Sequence, residues 1–506
     1  MPTLIPETPA ISVSQRRILP DEQQAVRLQH LVVLTPDKAG IALWRQLPFS
    51  DTFAQLAKRR PPRAKGPLRT HLPDSATAVT LGRVKPGRSV FACHESARKL
   101  AAAVIAEDPG SAGIAVVGFS DDETAVLQSA LVSALLAAAF PMPAERKKVV
   151  PPARLRRIQL FAPASGVDVT RLKAEAEGNN LARWLTVLPP NVLDAAGYRT
   201  LAKALADREG WRMRFLNENA LAREGAGAFL AVSQGNANRD AGIIRLQYRP
   251  GKKSAAPDVT LVGKGVCFDT GGNNLKPFRS MLDMHEDMQG SAVALGTLLA
   301  LSRLDYPRPV DCWLAVTENR IGPTAYKSRD VVTASNGVTI EVIHTDAEGR
   351  MALADTLALA CADEPKLMID YATLTGACVS ALTTRYSGVF SNRPELYPSL
   401  VAAGQASGER VWGFPMDSDF DQDIESPAAD LVQCGVDGAG DHILASRFLN
   451  HFVADGVPWV HMDLAAGHRK GGLGLIPTAV TGFGVRYTTG LLLDHPLPGD
   501  DVPESE

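Results

Sequence analysis

Short apolar runs of β character alternate with helical runs along almost the whole chain, which restricts the fold to sheets with helices packed on them. In the first third, His30 to Leu34, Ala78 to Leu81, Ile114 to Phe119 and Ile158 to Phe161 read as strands, with Glu95 to Glu107 and Asp122 to Phe140 as helices. After Pro189-Pro190-Asn191 the strand candidates are Val259 to Phe268, Val310 to Val316, Val338 to Ile343 and Lys366 to Ile369. The helices expected with them are Gly290 to Leu304, Gly349 to Ala362 and His442 to Ala454. This order predicts an α/β chain with mainly parallel sheets flanked by helices, and sites beyond the carboxyl ends of the strands. A length of 506 residues implies two cores. The boundary is expected after residue 165, giving an N-terminal α/β domain over 1–165 and a catalytic domain over 166–506, with Val167 to Leu185 as the linking helix.

Composition narrows the function by exclusion. A net charge of −2 and a pI near 6.6 give no electrostatic case for nucleic acid or anionic membrane. The run Glu145-Arg146-Lys147-Lys148, with Arg154, Arg156 and Arg157, reads as a solvated linker. Six cysteines lie far apart, mostly within apolar runs, which suits buried thiols in a reducing compartment. The N-terminus shows no basic and apolar leader, and the run Ala125 to Phe140 is interrupted by Gln128, Ser129 and Ser133. A cytoplasmic protein with no membrane segment is expected.

Three segments concentrate polar residues at the ends of apolar strands. The first runs from Gly263-Lys264-Gly265 through Asp269-Thr270-Gly271-Gly272 to Lys276. A lysine inside a strand and an aspartate at its end are costly to bury unless paired, and the glycines let backbone approach a ligand. The second is Met284-His285-Glu286-Asp287-Met288, before an apolar helix. The third is His344-Thr345-Asp346-Ala347-Glu348-Gly349-Arg350. If it stays extended, Asp346, Glu348 and Arg350 project from one side. Four carboxylates with two lysines and an arginine can build a dinuclear site for Mn²⁺ or Mg²⁺, and Zn²⁺ also accepts carboxylate oxygen. Lys264 can ligate metal only with its amine deprotonated, which desolvation and adjacent cations favour.

Simpler readings compete for each residue. Thr345-x-x-Glu348 fits a helix capping box, and Asp269 before Gly-Gly fits turn chemistry. Lys276 before Pro277 reads as a surface lysine, and Asp287 as a charge at a helix N-terminus. His285-Glu286 lacks the second histidine of a zincin, because position 289 is Gln289. The chain has no G-x-S-x-G for a serine hydrolase and no phosphate-binding G-x-x-x-x-G-K-[ST].

Together the three segments resemble the leucyl aminopeptidase family, the cytosol aminopeptidases. Similar stretches are Pro190 to Leu193, Phe229 to Val232, Glu318-Asn319, Thr373 to Ala377 and His461 to Ala465, so the resemblance covers roughly 175 to 490. It implies a hydrolase that releases N-terminal, preferably apolar, residues from peptides by a metal-bridged hydroxide. It implies one metal on Lys264, Asp269, Asp287 and Glu348, and a second on Asp269, Asp346 and Glu348. The ions would be Zn²⁺ or Mn²⁺, with Mg²⁺ or Co²⁺ as alternatives. Lys276 would polarise the scissile carbonyl, and Arg350 would hold a bicarbonate acting as general base. Leu374 and Gly376 would offer main-chain groups, while Met284, Thr373 and Ala465 would line the first side-chain pocket. A homohexamer is implied as well.

The chain departs from that pattern where relatives have asparagine and leucine around the signature, here His344 and Met351, and glycine and methionine after Ala465, here Ala466 and His468. These departures bear on specificity, since none removes a metal ligand. A DNA-binding or architectural role, found in some bacterial relatives, is the alternative from another class, and the charge balance argues against it.

Overall fold

The computed structural model describes residues 5–58, 66–148, 151–251 and 256–500. Its contacts divide into two compact units: Glu7–Ala176 with Lys470–Ala479, and Met1–Pro6 with Glu177–Arg469 and Val480–Glu506.

The first unit is a six-stranded sheet in the order Ser12–Arg16, Arg157–Phe161, Ser111–Val116, His30–Pro36, Ala78–Val84 and Leu68–His71. All neighbours are parallel except the last pair. Alternation along His30–Pro36 explains why both faces are covered. Val32 and Leu34 pack with the helices Val90–Ile105 and Asp121–Ala139 through Leu100, Leu131 and Leu135, while Leu31 and Val33 pack with Trp44 and Phe53. Asp121–Ala139 is long and apolar enough to cross a membrane by length and composition alone, more than its interrupted sequence suggests. It is nevertheless mostly buried inside this unit, and its Gln128 amide donates to the carbonyls of Phe161 and Ala162 at 3.2 Å. Of the basic stretch, Arg146, Lys147 and Lys148 are exposed, and Arg154 pairs with Asp108 at 2.8 Å.

The second unit holds an eight-stranded sheet in the order Val411–Gly413, Ser387–Ser391, Trp459–Asp463, Leu367–Ala372, Val259–Asp269, Val310–Asn319, Gly242–Tyr248 and Arg212–Asn217. The middle four strands are mutually parallel, and their neighbours on both sides, Ser387–Ser391 and Gly242–Tyr248, run antiparallel to them. One face is covered by Glu348–Cys361, whose Leu353 and Leu357 pack with Val262, Ala315 and Met368. Gln289–Arg303 lies on the other face, where Gly263 meets Ser291 so closely that a Cβ at 263 would sit 2.4 Å from its Cα. The parallel core and its helices agree with the sequence reading. The short antiparallel flanking strands were not anticipated, because strands of three to seven residues carry little periodicity.

A bulge in the longest strand matters for the site. Thr317 pairs with Val266 but Asn319 pairs with Asp269, so one extra residue is inserted in Val259–Asp269 between those pairs. Lys264 and Asp269 are five positions apart and would otherwise face opposite sides; the extra residue turns Asp269 onto the face that carries Lys264. A small sheet of Val331–Thr333, Thr339–Glu341 and Leu431–Val432 supports the segment that follows it, which leads into the helix Glu348–Cys361.

The close approach of helix and sheet beneath this face is testable at Gly290. A Cβ there would stand 2.0 Å from the Tyr371 carbonyl and 3.0 Å from the Lys264 amide, both backbone atoms. Gly290→Ala should therefore destabilise the fold by about 1–3 kcal/mol, read as a lower urea midpoint; an unchanged midpoint would exclude this packing.

Candidate metal centre and active site

The polar residues converge because the four parallel strands end together. Asp269, Asn319, Ala372 followed by Thr373, and Asp463 stand at their carboxyl ends, where open α/β sheets place ligands. There they frame a cleft of about 390 Å³. Lys264, Asp269, Lys276, Asp287, Asp346 and Glu348 all line it, as do Met284, Thr373, Leu374, Gly376 and Ala465.

Each lysine bridges a pair of carboxylates. The Lys264 Nζ is 2.8 Å from Asp287 Oδ1 and 2.9 Å from Glu348 Oε1, and it donates to the Thr373 carbonyl at 3.1 Å. The Lys276 Nζ lies 2.8 Å from Asp269 Oδ2 and 2.5 Å from Asp346 Oδ1. Lys276 is therefore not a free surface lysine. Thr373 adds a hydroxyl that donates to Asp287 Oδ1 at 2.7 Å.

The turn carrying the first segment is held tightly. Asp269 Oδ1 accepts the Gly271 amide and the Asn319 side-chain amide, each at 2.8 Å, so it serves the turn with one oxygen and faces Lys276 with the other. Gly271 and Gly272 have φ of +86° and +62°, and a Cβ at 271 would meet Asp346 Oδ1 at 2.8 Å. The third segment does not stay extended. Its helix starts at Glu348 with Ala347 as N-cap and no side-chain cap, so the Thr345 capping box does not form. Thr345 instead donates its hydroxyl to the Gly271 carbonyl at 2.6 Å and accepts the Asn274 amide at 2.8 Å, tying the first and third segments together. The reason lies in tertiary packing: the facing turn brings a buried carbonyl and a partly buried amide to the Thr345 hydroxyl, which satisfies both.

Charge and satisfaction test whether these residues fit divalent cations. The four carboxylates (−4) against two ammonium groups (+2) leave an excess of −2, with Asp269, Asp287 and Glu348 buried. Asp287 Oδ2 and Glu348 Oε2 are buried with no hydrogen-bond partner. Oxygens of Asp269, Asp346 and Glu348 lie within 4.8 Å of one another. Orphaned carboxylate oxygens in a buried, negatively charged cluster are costly without a cation, and hard oxygen ligands suit Mn²⁺, Mg²⁺ or Zn²⁺. The residues fit.

The protonation states follow from the same geometry. Burial, reinforced by Glu348, pushes Asp269 up to about 7 against the pull of Lys276 and Lys264. Burial also raises Asp287 and Glu348. Burial alone would lower Lys264, but Asp287, Glu348 and Asp269 outweigh it and hold the ammonium charged. A neutral, ligating Lys264 therefore requires that the charge on those carboxylates be cancelled.

Arg350 is placed differently. It does not line the cleft, and its side chain is almost fully buried. Its Nη2 contacts both oxygens of Asp441 at 2.8 and 2.9 Å, and Nη1 donates to the Gln433 carbonyl at 3.1 Å. A guanidinium held by a carboxylate of its own chain does not fit the expected bicarbonate.

Several positioning residues carry no role in the sequence reading. Asp463 accepts the Leu374 amide at 3.2 Å and the Thr375 hydroxyl at 2.7 Å, which shapes the turn at 373–376. Asn319 and Tyr326 each donate to the Thr345 carbonyl, at 2.9 and 2.8 Å. Their signal was an amide or carboxylate at the end of an apolar strand, visible for Asn319 and Asp463. His344 is exposed, and its Nδ1 accepts the Asp346 amide at 3.3 Å. Met351 and Ala466 are buried. His468 lines the cleft, and its Nδ1 is 2.8 Å from Glu286 Oε2.

Comparison with known proteins adds a family. Residues 180–489 match the catalytic domain of the cytosol aminopeptidase family. A probable cytosol aminopeptidase of Syntrophotalea carbinolica is 42% identical over 325 residues, 64% of this chain and 65% of that protein. One from Stutzerimonas stutzeri is 40% identical over 341 residues, 65% of this chain and 68% of that protein. The chain thus spans about two thirds of the length of the curated relatives it matches. Among solved structures, a mutant of tomato leucine aminopeptidase superposes with a TM-score of 0.85 at 26% identity, covering 97% of this chain and 98% of that one. The bottromycin maturation enzyme BotP in complex with Mn gives 0.80 at 28% identity, covering 92% and 99%. The matched catalytic domain takes up more than half of the chain and contains every residue of the carboxylate–lysine cluster: the chain belongs to the cytosol aminopeptidase family.

Proposed function

We propose that this protein is a metal-dependent aminopeptidase that hydrolyses the first peptide bond of peptides with a free N-terminus. The observation that carries the reading is the buried excess of carboxylate over ammonium in one cleft, with orphaned oxygens on Asp287 and Glu348. Family membership and a structural neighbour solved with Mn support it. Lys264, Asp269, Asp287 and Glu348 would hold one divalent ion, and Asp269, Asp346 and Glu348 a second. When bound, such a pair supplies Lewis acidity and neutralises developing charge.

The chain's own residues do the rest. Lys276 is tied to Asp269 and Asp346; once their charge is otherwise compensated, its ammonium is free to donate to the scissile carbonyl and stabilise the oxyanion. The Leu374 carbonyl and the Gly376 amide, on the turn set by Asp463, would align the peptide main chain. Met284, Val379 and Ala465 offer apolar surface to the first side chain, and Thr373 borders it. Glu286, Gln289 and His468 line the same cleft, so an apolar preference is graded and not absolute. A homohexamer acting in the cytoplasm belongs to this reading, and light scattering of the purified chain tests the assembly.

Asp269→Ala and Glu348→Ala should each abolish turnover and reduce bound metal, because both would serve both ions. Two ions per chain retained by either variant, measured by elemental analysis, would refute the shared ligation. Lys276→Ala should keep its metals and lose about a hundredfold or more in kcat; metal loss in parallel with activity would make it structural. Leucyl, methionyl and alanyl amides should differ by no more than about 1–3 kcal/mol in kcat/KM. An N-acetylated leucyl peptide should not be cleaved, and comparable turnover of it would remove the aminopeptidase reading.

A further inference from the structure

Arg350 sits at the third turn-forming position of the helix Glu348–Cys361, two residues from a carboxylate of the cluster. Both terminal nitrogens of its guanidinium find partners within the chain, while Nε is buried without one. Asp441 presents both oxygens to Nη2 at 2.8 and 2.9 Å, and the Gln433 carbonyl takes Nη1 at 3.1 Å. Gln433 is itself fixed: its side chain donates to the Ala347 carbonyl at 2.8 Å and accepts the amides of Ile343 and His344 at 3.2 and 3.1 Å. Asp441 opens the ten-residue helix Asp441–Asn450, so its charge also complements that helix N-terminus. The carboxylate is thus held by two independent favourable fields, and Arg350, with 2% of its side chain exposed, has its charge compensated where it is buried.

A bicarbonate and an aspartate side chain offer a guanidinium the same group, a planar pair of anionic oxygens. An intramolecular carboxylate competes at an effective concentration in the millimolar range or above, with no loss of translational freedom on binding. We infer that Asp441 is the built-in anion of Arg350, a positioning residue that takes the place expected for bicarbonate and makes turnover independent of it. This rests on the aminopeptidase reading for its kinetic part only.

The test compares the metal-loaded wild-type protein with Asp441→Gly, which opens the place, and Asp441→Asn, which keeps its shape without the charge. Each is assayed on a leucyl amide in CO₂-free buffer with and without added bicarbonate, and titrated with bicarbonate alone by calorimetry. Wild-type kcat should change by less than about twofold, whereas Asp441→Gly should fall by at least about tenfold without bicarbonate and recover with it. Calorimetry should show bicarbonate binding to Asp441→Gly and none to the wild type. Asp441→Asn, whose amide still fills the place, should bind no bicarbonate; should Asp441→Gly fail to fold, Asp441→Ala, which also opens the place, is read on the same two measures. A wild-type enzyme that binds bicarbonate or needs it, or an opened variant (Asp441→Gly or Asp441→Ala) indifferent to it, overturns the inference. If no protein turns over the amide, the aminopeptidase reading fails instead, and the calorimetry still decides the occupancy of Arg350.

Discussion

Two ammonium groups hold four carboxylates at one end of a parallel sheet, and most of the second unit's architecture follows from that unbalanced cluster. Burying charge is costly unless each ion finds an opposite partner and its remaining hydrogen bonds. Lys264 and Lys276 supply part of that compensation by each bridging two acids. The oxygens they do not reach remain exposed to one another in a cleft about the size of a small ligand. Stability is therefore conceded locally, and the surrounding structure has to be rigid enough to keep the acids together.

That rigidity comes from hydrogen bonds to backbone around the cluster. Thr345, Asn274 and Asn319 lace the Gly271-Gly272 turn to the segment before Glu348. Asp463 shapes the turn at 373–376 from the next strand end. Below them, Gly263 and Gly290 bring helix Gln289–Arg303 close to the sheet, so the strand that carries Lys264 has little room to shift. The acids are thus positioned by elements tied to one another through hydrogen bonds, which is what preorganisation requires.

Two pairings stand at the margins of this cluster. His468 and Glu286 pair at the cleft's lining, a polar component beside Met284 and Ala465. Asp441 neutralises Arg350 where an external anion was expected. Neither pairing involves the lysines and carboxylates of the cluster.

Alternation of strands and helices was enough to anticipate the parallel sheets, and the polar segments at 264–276, 284–288 and 344–350 were enough to pick out the residues that now line one cleft. Composition and local order carry this information because buried lysine and aspartate are unusual in apolar strands wherever they fold. What the sequence could not decide is where each side chain points. Strict alternation puts Lys264 and Asp269 on opposite faces, and only a bulge, an outcome of pairing with Val310–Asn319, brings them together. Thr345 looks like a cap until the facing Gly271 carbonyl is there to bind it. Arg350 looks available until Asp441, ninety-one positions away, arrives beside it. The grouping of Lys470–Ala479 with the N-terminal unit is likewise a matter of contacts between distant segments. Local chemistry names the participants, but long-range pairing sets their partners, and partners decide charge and availability.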